Sequence, residues 1–192
     1  MFMILIILHP GEYAPLSCRL QGEKAFTGRR KMKVYLMQHG KPVSKEINPG
    51  KPLSEEGRRD VEKMASLLQC CIPLPREILH SGKTRAEQTA EIIASKLGPG
   101  VNVKKKEGLA PLDDVREIGG TLGQDVWNTI IVGHLPHLAR LTSFLTGGDG
   151  SHNLVRFQQG GILCLEREDA ENWSIGWMVV PEMMHRLAGL GD

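Results

Sequence analysis

The sequence predicts an α/β fold in which a largely parallel sheet is covered by helices on both faces. Two observations carry that expectation. Short apolar, β-branched runs alternate with amphipathic helical stretches along the 192-residue chain. Two of those runs, MKVYLM at 32–37 and TIIV at 129–132, each deliver a histidine directly behind them, in Gln38-His39-Gly40 and Gly133-His134-Leu135-Pro136. Open α/β sheets bind ligands at the ends of their parallel strands. Two histidines about 95 positions apart in the chain are therefore expected to face each other across one pocket.

The elements follow in order. Residues 32–38 read as the first strand, followed by a polar loop carrying Pro42, Pro49, Gly50 and Pro52. Ser54 reads as an N-cap, with Glu55 and Glu56 in the first turn of a helix that ends near Cys71. Its apolar face is Val61, Met64, Ala65, Leu67 and Leu68. Pro73 and Pro75 break the chain before a short strand at 77–80. A helix over 83–97 places Ala86, Ala90, Ile93 and Leu97 on one side and stops at Gly98-Pro99-Gly100. An edge strand is expected at 101–105 and a short helix at 113–122. A buried strand follows at 129–132 and a helix at 136–145. The runs at 160–166 and 173–179 read as a closing antiparallel hairpin.

The bulk numbers place the chain among ordinary globular domains. It is 41% hydrophobic and 24% charged with a net charge of +2, which gives no ground for nucleic-acid or membrane affinity. Lys104-Lys105-Lys106 reads as a solvated loop or strand edge. Of the four cysteines, Cys18, Cys70, Cys71 and Cys164, two are adjacent, which is poor disulfide geometry, and no CxxC occurs. Free thiols and a cytoplasmic setting are the expectation. Residues 1–31 open on the apolar run MFMILIIL and read as an extension outside the fold, in keeping with an upstream start before Met32, with an uncleaved anchor or a packed extra strand as the alternatives. The folded domain is expected over 32–185, with a tail at 186–192.

Between the two histidines lies Ser81-Gly82-Lys83-Thr84-Arg85-Ala86-Glu87-Gln88-Thr89-Ala90, which sets an arginine near the start of a helix. Two imidazoles and a guanidinium at a helix N-terminus suit a phosphoryl group. Four segments in order, 34–40 (VYLMQHG), 52–57 (PLSEEG), 84–90 (TRAEQTA) and 132–136 (VGHLP), resemble the histidine phosphatase superfamily, and among its branches the SixA-type phosphohistidine phosphatases. The resemblance spans about residues 32–181. It implies a three-layer α/β/α sandwich of the phosphoglycerate mutase-like kind. It also implies a phosphorylated catalytic His39, a second histidine at His134, a pocket arginine at Arg85 and no metal or organic cofactor. The chain lacks the long insertions of the mutases, so mutase chemistry is not expected.

One position departs from the family pattern. Its first motif is Arg-His-Gly, and Gln38 stands here in place of the arginine. Gln38 can still donate hydrogen bonds but carries no charge. The lost charge-assisted contact corresponds to about 1.5–3 kcal/mol, or roughly ten- to a hundredfold in rate or affinity. Lys41 is carried as an accessory candidate that would return a cation to the pocket, with Lys51 and Lys83 as other candidates, against a plain exposed lysine as the favoured reading of each.

Read residue by residue, His39 is the neutral nucleophile, its tautomer fixed by a backbone carbonyl. His134 and the backbone N–H of Leu135 donate to the phosphoryl oxygens, and Arg85 clamps two of them. Asp113 and Asp114 follow a loop that can approach the pocket. Asp114 is carried as a possible accessory acid, against a plain turn-and-cap role for both. His80 and His137 are expected at the surface or behind the site, and Ser81 as a helix cap. No metal-ligand pattern is present. The expected partner is a phosphorylated protein, such as a histidine-containing phosphotransfer domain in signal transduction, or a small phosphorylated substrate. A catalytically weak phosphate-binding module is the alternative that Gln38 favours.

Overall fold

The expected alternation is present element by element. In the computed structural model, which describes residues 32–122, 128–148, 150, 152, 154–167 and 173–188, β1 (Met32–Gln38) leads into α1 (Glu55–Cys71), β2 (Glu77–His80) and α2 (Thr84–Leu97). There follow β3 (Asn102–Lys105), α3 (Val115–Thr121), β4 (Thr129–Gly133) and α4 (His137–Leu145). The chain closes with β5 (Ile162–Arg167), β6 (Trp173–Val179) and α5 (Pro181–Ala188). The extension at 1–31 lies outside the described residues.

The six strands form one sheet in the order β3-β2-β4-β1-β5-β6. The pairs β2·β3, β2·β4 and β1·β4 are parallel, while β1·β5 and β5·β6 are antiparallel. The closing hairpin thus extends a parallel sheet on one side.

Strand side chains alternate between the two faces, and both faces are covered, which is why the runs read as continuously apolar. Val34, Leu36, Ile131, Leu163 and Leu165 meet Val115, Ile118, Leu138, Leu141 and Leu145 of α3 and α4. Tyr35, Met37, Ile78, Ile130 and Val132 meet Val61, Met64, Leu68, Ala86 and Ile93 of α1 and α2. Met64, Leu68, Ile93, Leu138 and Leu141 are fully buried, each contributing about 1.5–3 kcal/mol. The result is the three-layer α/β/α sandwich.

Local signals set the boundaries. Ser54 caps α1 by accepting from the N–H of Gly57 at 3.0 Å. Gly98, with a φ of 106°, ends α2 in a conformation that L side chains rarely adopt. The edge strand β3 carries Lys104 and Lys105 outward, paired with Glu77 at 3.1 Å and Glu107 at 2.8 Å, which blunts the edge against pairing with another chain.

One element was not expected. The boundary set at residue 185 falls inside α5, which begins at Pro181 and runs to Ala188. Its signals are short: a proline in the first turn and an i,i+4 pair, Glu182 with Arg186 at 2.6 Å. Tertiary contact holds it, through Met184 against the α1–α2 face of the core and His185 2.9 Å from Asp60 of α1. Among the described residues no helix is long and apolar enough to cross a membrane.

The approach of α1 to the segment after β1 is glycine-dependent. A Cβ at Gly57 would sit 2.1 Å from the carbonyl oxygen of Lys41, and one at Gly40 would sit 2.7 Å from Val61. A denaturant series should therefore show Gly57→Ala losing about 1–3 kcal/mol of stability. Gly120→Ala in α3, where an added Cβ would meet nothing within 4 Å, should gain about 0.5 kcal/mol. Equal stability of the two variants would contradict this packing.

Candidate active site

Strand register assembles the site. Gln38 pairs with Gly133 across β1·β4, so His39 and His134, each one residue further, emerge side by side. The backbone N–H of His39 donates to the carbonyl of Gly133 at 3.2 Å. On the other side of β4, His80 of β2 pairs with Val132, which brings Ser81 to the same end of the sheet. Three neighbouring strand ends therefore supply His39, His134 and Ser81, and the first turn of α2 supplies Arg85.

The hydrogen bonds fix the ring of His39. Its Nδ1 lies 2.8 Å from the carbonyl oxygen of Gly40. A carbonyl only accepts, so Nδ1 carries the hydrogen. Nε2 accepts from Nε–H of Arg85 at 3.0 Å. Its lone pair therefore points at the guanidinium. Burial lowers the pKa of His39 from 6.5 to about 4; the Gly40 bond opposes that fall, and the charges of Arg85 and Lys51 reinforce it. His39 is a neutral imidazole at physiological pH.

His134 faces it with ring centroids 4.8 Å apart and planes inclined by 55°. Its Nδ1 lies 3.4 Å from Nη2 of Arg85, a weak contact, and its Nε2 lies 2.6 Å from Oγ of Ser81. Burial is again the largest cause of its low pKa, about 3, with His39, Arg85 and Lys83 adding to it. Arg85 spans the two rings and stays charged, since burial lowers a pKa that starts far above neutrality.

The same face of α2 holds the loop that carries His39. Thr89 Oγ1 accepts from the N–H of Gly40 at 3.1 Å while donating to the carbonyl of Arg85 at 2.7 Å. Gln88 Oε1 accepts from the N–H of Leu53 at 2.8 Å. Ser54 donates from both N–H and Oγ–H to the carbonyl of Lys41, at 2.9 and 3.0 Å. The run Arg85-Ala86-Glu87-Gln88-Thr89 thus reads as one helix face, i, i+3 and i+4: a charge for the pocket and two polar groups for the loop. Sequence reasoning took only Arg85 from it, although the spacing carries the signal for Gln88 and Thr89.

His39, His134 and Arg85 come together as expected. Gln38 is buried at the end of β1, and its Oε1 has no hydrogen-bond partner. Leu135 lies two residues ahead of α4, which starts at His137 with Pro136 as cap, so its N–H is not part of the helix as expected; its side chain is 41% exposed.

Two candidate roles, for Lys41 and Asp114, are not borne out, and one expectation, for Ser81, needs correction. The ammonium of Lys41 is drawn to the surface by Glu56 at 2.5 Å, both groups being more than half exposed, and does not serve the pocket. Lys51 and Lys83 are the lysines whose charge reaches His39 and His134. Asp114 is no accessory acid: it caps α3 by accepting from the N–H of Arg116 at 3.0 Å, and its other oxygen lies 3.5 Å from that guanidinium. Ser81 does not cap α2, whose N-cap is Lys83, but bonds His134. His80 and His137 are both buried, which leaves the behind-the-site alternative of the two expected for them. His80 accepts from the N–H of Gly82 at 3.3 Å, and the ring of His137 faces the backbone of Gly108. Among the described residues no cluster of three metal-ligating side chains occurs.

Comparison with known proteins agrees with this geometry. The sequence model of the histidine phosphatase superfamily (branch 1) matches residues 34–113. No curated protein matches the sequence. Among solved structures, the protein histidine phosphatase SixA complexed with tungstate aligns with a TM-score of 0.70 at 22% identity, over 80% of this chain and 99% of that one. A protein described as phosphohistidine phosphatase SixA from Agrobacterium tumefaciens aligns with a TM-score of 0.64 at 21% identity, over 80% and 100%. A mycobacterial glucosyl-3-phosphoglycerate phosphatase aligns with a TM-score of 0.59 at 13% identity, over 76% and 98%. In sequence signature over residues 34–113 and in fold, the chain is similar to branch 1 of the histidine phosphatase superfamily.

Proposed function

We propose that the protein is a phosphatase that hydrolyses phosphohistidine on a partner protein, with His39 as the nucleophile. The observation that carries this reading is the ring of His39. Its Nδ1–H is spent on the Gly40 carbonyl, and its Nε2 lone pair is directed at the guanidinium of Arg85. A phosphoryl group entering there draws the guanidinium to its oxygens and leaves Nε2 free to attack phosphorus. The bond to the substrate imidazole breaks, and that imidazole leaves as a neutral ring because it is protonated beforehand. Water then attacks the phosphoryl group on His39, releasing inorganic phosphate and restoring the free imidazole. His134 and Arg85 meet the charge that builds on the equatorial oxygens.

The electrostatics favour a phosphoramidate over an alkyl phosphate. Among the described residues, no carboxylate is among the charged groups that shift His39 or His134. A protonated imidazole needs no general acid to leave, whereas an alkoxide does. The names of the SixA structures support the same substrate class. The partner class that fits is a histidine-containing phosphotransfer domain, which would place the protein in signal transduction inside the cell. A second reading is a phosphate-binding module with little turnover. The specific observation behind it is Gln38, an uncharged side chain with an unpartnered buried oxygen where the family carries arginine.

Three outcomes test the proposal. Hydrolysis of an aryl phosphate and of a phosphorylated phosphotransfer domain should be abolished by His39→Ala and raised about ten- to a hundredfold by Gln38→Arg. Turnover surviving His39→Ala would sink the nucleophile, and a phosphoprotein left untouched would sink the substrate class. The kcat/KM profile should stay level from neutrality down to about pH 5 and fall as pH approaches about 4, where His39 takes its proton. Stability has the matching sign. Between pH 6.5 and about 4 the unfolded His39 binds a proton that the folded one does not, so stability rises with pH across that window and is lost as pH falls through it. His39→Gln should flatten that slope in a melting series.

A further inference from the structure

The hydroxyl of Ser81 lies 2.6 Å from Nε2 of His134. The fold needs no hydroxyl at this position. The helix α2 begins three residues later with Lys83 as its cap, and Ser81 gives it no bond. Its place is nevertheless well fixed. It follows β2 directly, beside β4 by the pairing of His80 with Val132, and Gly82 with a φ of 78° turns the chain away behind it. A half-buried serine at a rigid strand end, in short contact with a histidine whose other nitrogen faces the pocket arginine, has a chemical consequence.

We infer that Ser81 is a positioning residue for His134 that sets which ring nitrogen carries the hydrogen and lets that choice reverse when a phosphoryl group binds. This rests on the phosphatase reading for its effect on turnover. With the pocket empty, Nη2 of Arg85 donates towards Nδ1 of His134 at 3.4 Å. The hydrogen then sits on Nε2, and Ser81 accepts it. When phosphoryl oxygens take the guanidinium, Nδ1 faces acceptors and has to carry a hydrogen to donate to them. The ring then exchanges its Nε2 proton with water for one on Nδ1, with no change of charge, and the serine hydroxyl rotates to donate to Nε2. Only a group that both donates and accepts can hold the ring in both states. A carboxylate would accept only, would lock the Nε2–H form and would set a negative charge beside the phosphate.

The test reads the His134 ring nitrogens by 15N NMR in protein labelled at histidine, with and without inorganic phosphate, beside kinetics on an aryl phosphate. In the wild type the hydrogen should be on Nε2 without phosphate and on Nδ1 with it. Ser81→Ala should lose the preference and lower kcat about five- to tenfold, with a smaller change in KM. Ser81→Thr, which keeps the hydroxyl, should restore both. A variant that merely loosens packing would lose stability and leave the phosphate-driven exchange of tautomer intact. Should Ser81→Ala not fold, Ser81→Cys replaces it, with a weak thiol at similar size. The inference is overturned if phosphate leaves the wild-type tautomer unchanged, or if the hydroxyl-free variant matches wild type in tautomer and kcat. A wild type silent on every phosphate would sink the phosphatase reading while the nitrogen shifts still decide this one.

Discussion

The parallel pairing of β1 with β4 is the constraint on which the rest of the site depends. It sets Gln38 opposite Gly133 and so brings two histidines, far apart in the chain, to adjoining strand ends. A slip of one residue would send the alternating apolar side chains of β1 to the wrong faces of the sheet. The register is therefore held by both halves of the core at once, Val34 and Leu36 on one side and Tyr35 and Met37 on the other. Catalytic geometry is in this sense a by-product of core packing. The 4.8 Å between the rings is defended by buried aliphatic area rather than by any bond between them.

A strand end alone leaves a side chain free to swing, and the second constraint removes that freedom. The segment that follows His39 is tied to α2 through Thr89, to α1 through Ser54, and to the backbone of α1 by contact at Gly57 that no side chain would permit. Because Thr89 and Arg85 lie on one helix face, the element that holds the loop of His39 also aims the cation at the lone pair of that ring. Any shift of α2 moves both together, so their relative geometry survives small motions of the helix against the sheet. The last ring atom to be fixed, Nδ1 of His39, is fixed by the chain's own next carbonyl at 2.8 Å. Such a tautomer lock needs no further residue.

Most of the fold was legible because it is written in periods. Period-two runs buried on both faces and period-3.6 helices with serine and glycine at their ends identify ten of the eleven elements. The exception, α5, is short and amphipathic and owes its place to Met184, packed against the α1–α2 face of the core, and to His185, whose partner Asp60 lies 125 residues upstream. The site was legible where a motif fixes chemistry, at His39, Arg85 and His134. It was illegible where chemistry depends on which neighbour a flexible group finds. Lys41 follows the nucleophile in sequence, yet its stem reaches the acid at the start of α1 instead of the pocket. Ser81 precedes a helix, yet it turns sideways to the neighbouring strand end. Asp114 stands beside a loop near the site, yet the orphan N–H groups of a helix start claim it first.

These placements together decide what the charge of the site is for. Two buried neutral imidazoles, each held well below its usual pKa, surround one guanidinium, and the lysines that reach them, Lys51 and Lys83, act at longer range. On the proposed reading, with glutamine at position 38, Arg85 is the close positive charge that the described residues offer an incoming phosphoryl group. A site with less fixed positive charge holds inorganic phosphate less tightly and relies more on the charge its substrate brings. A phosphorylated imidazole that arrives protonated brings one of its own, on the leaving group, where it also removes the need for an acid. On the proposed reading, the exchange of arginine for glutamine and the lack, among the described residues, of a carboxylate that shifts His39 or His134 are met by one and the same substrate property: a phosphoryl group already carried on a protonated nitrogen.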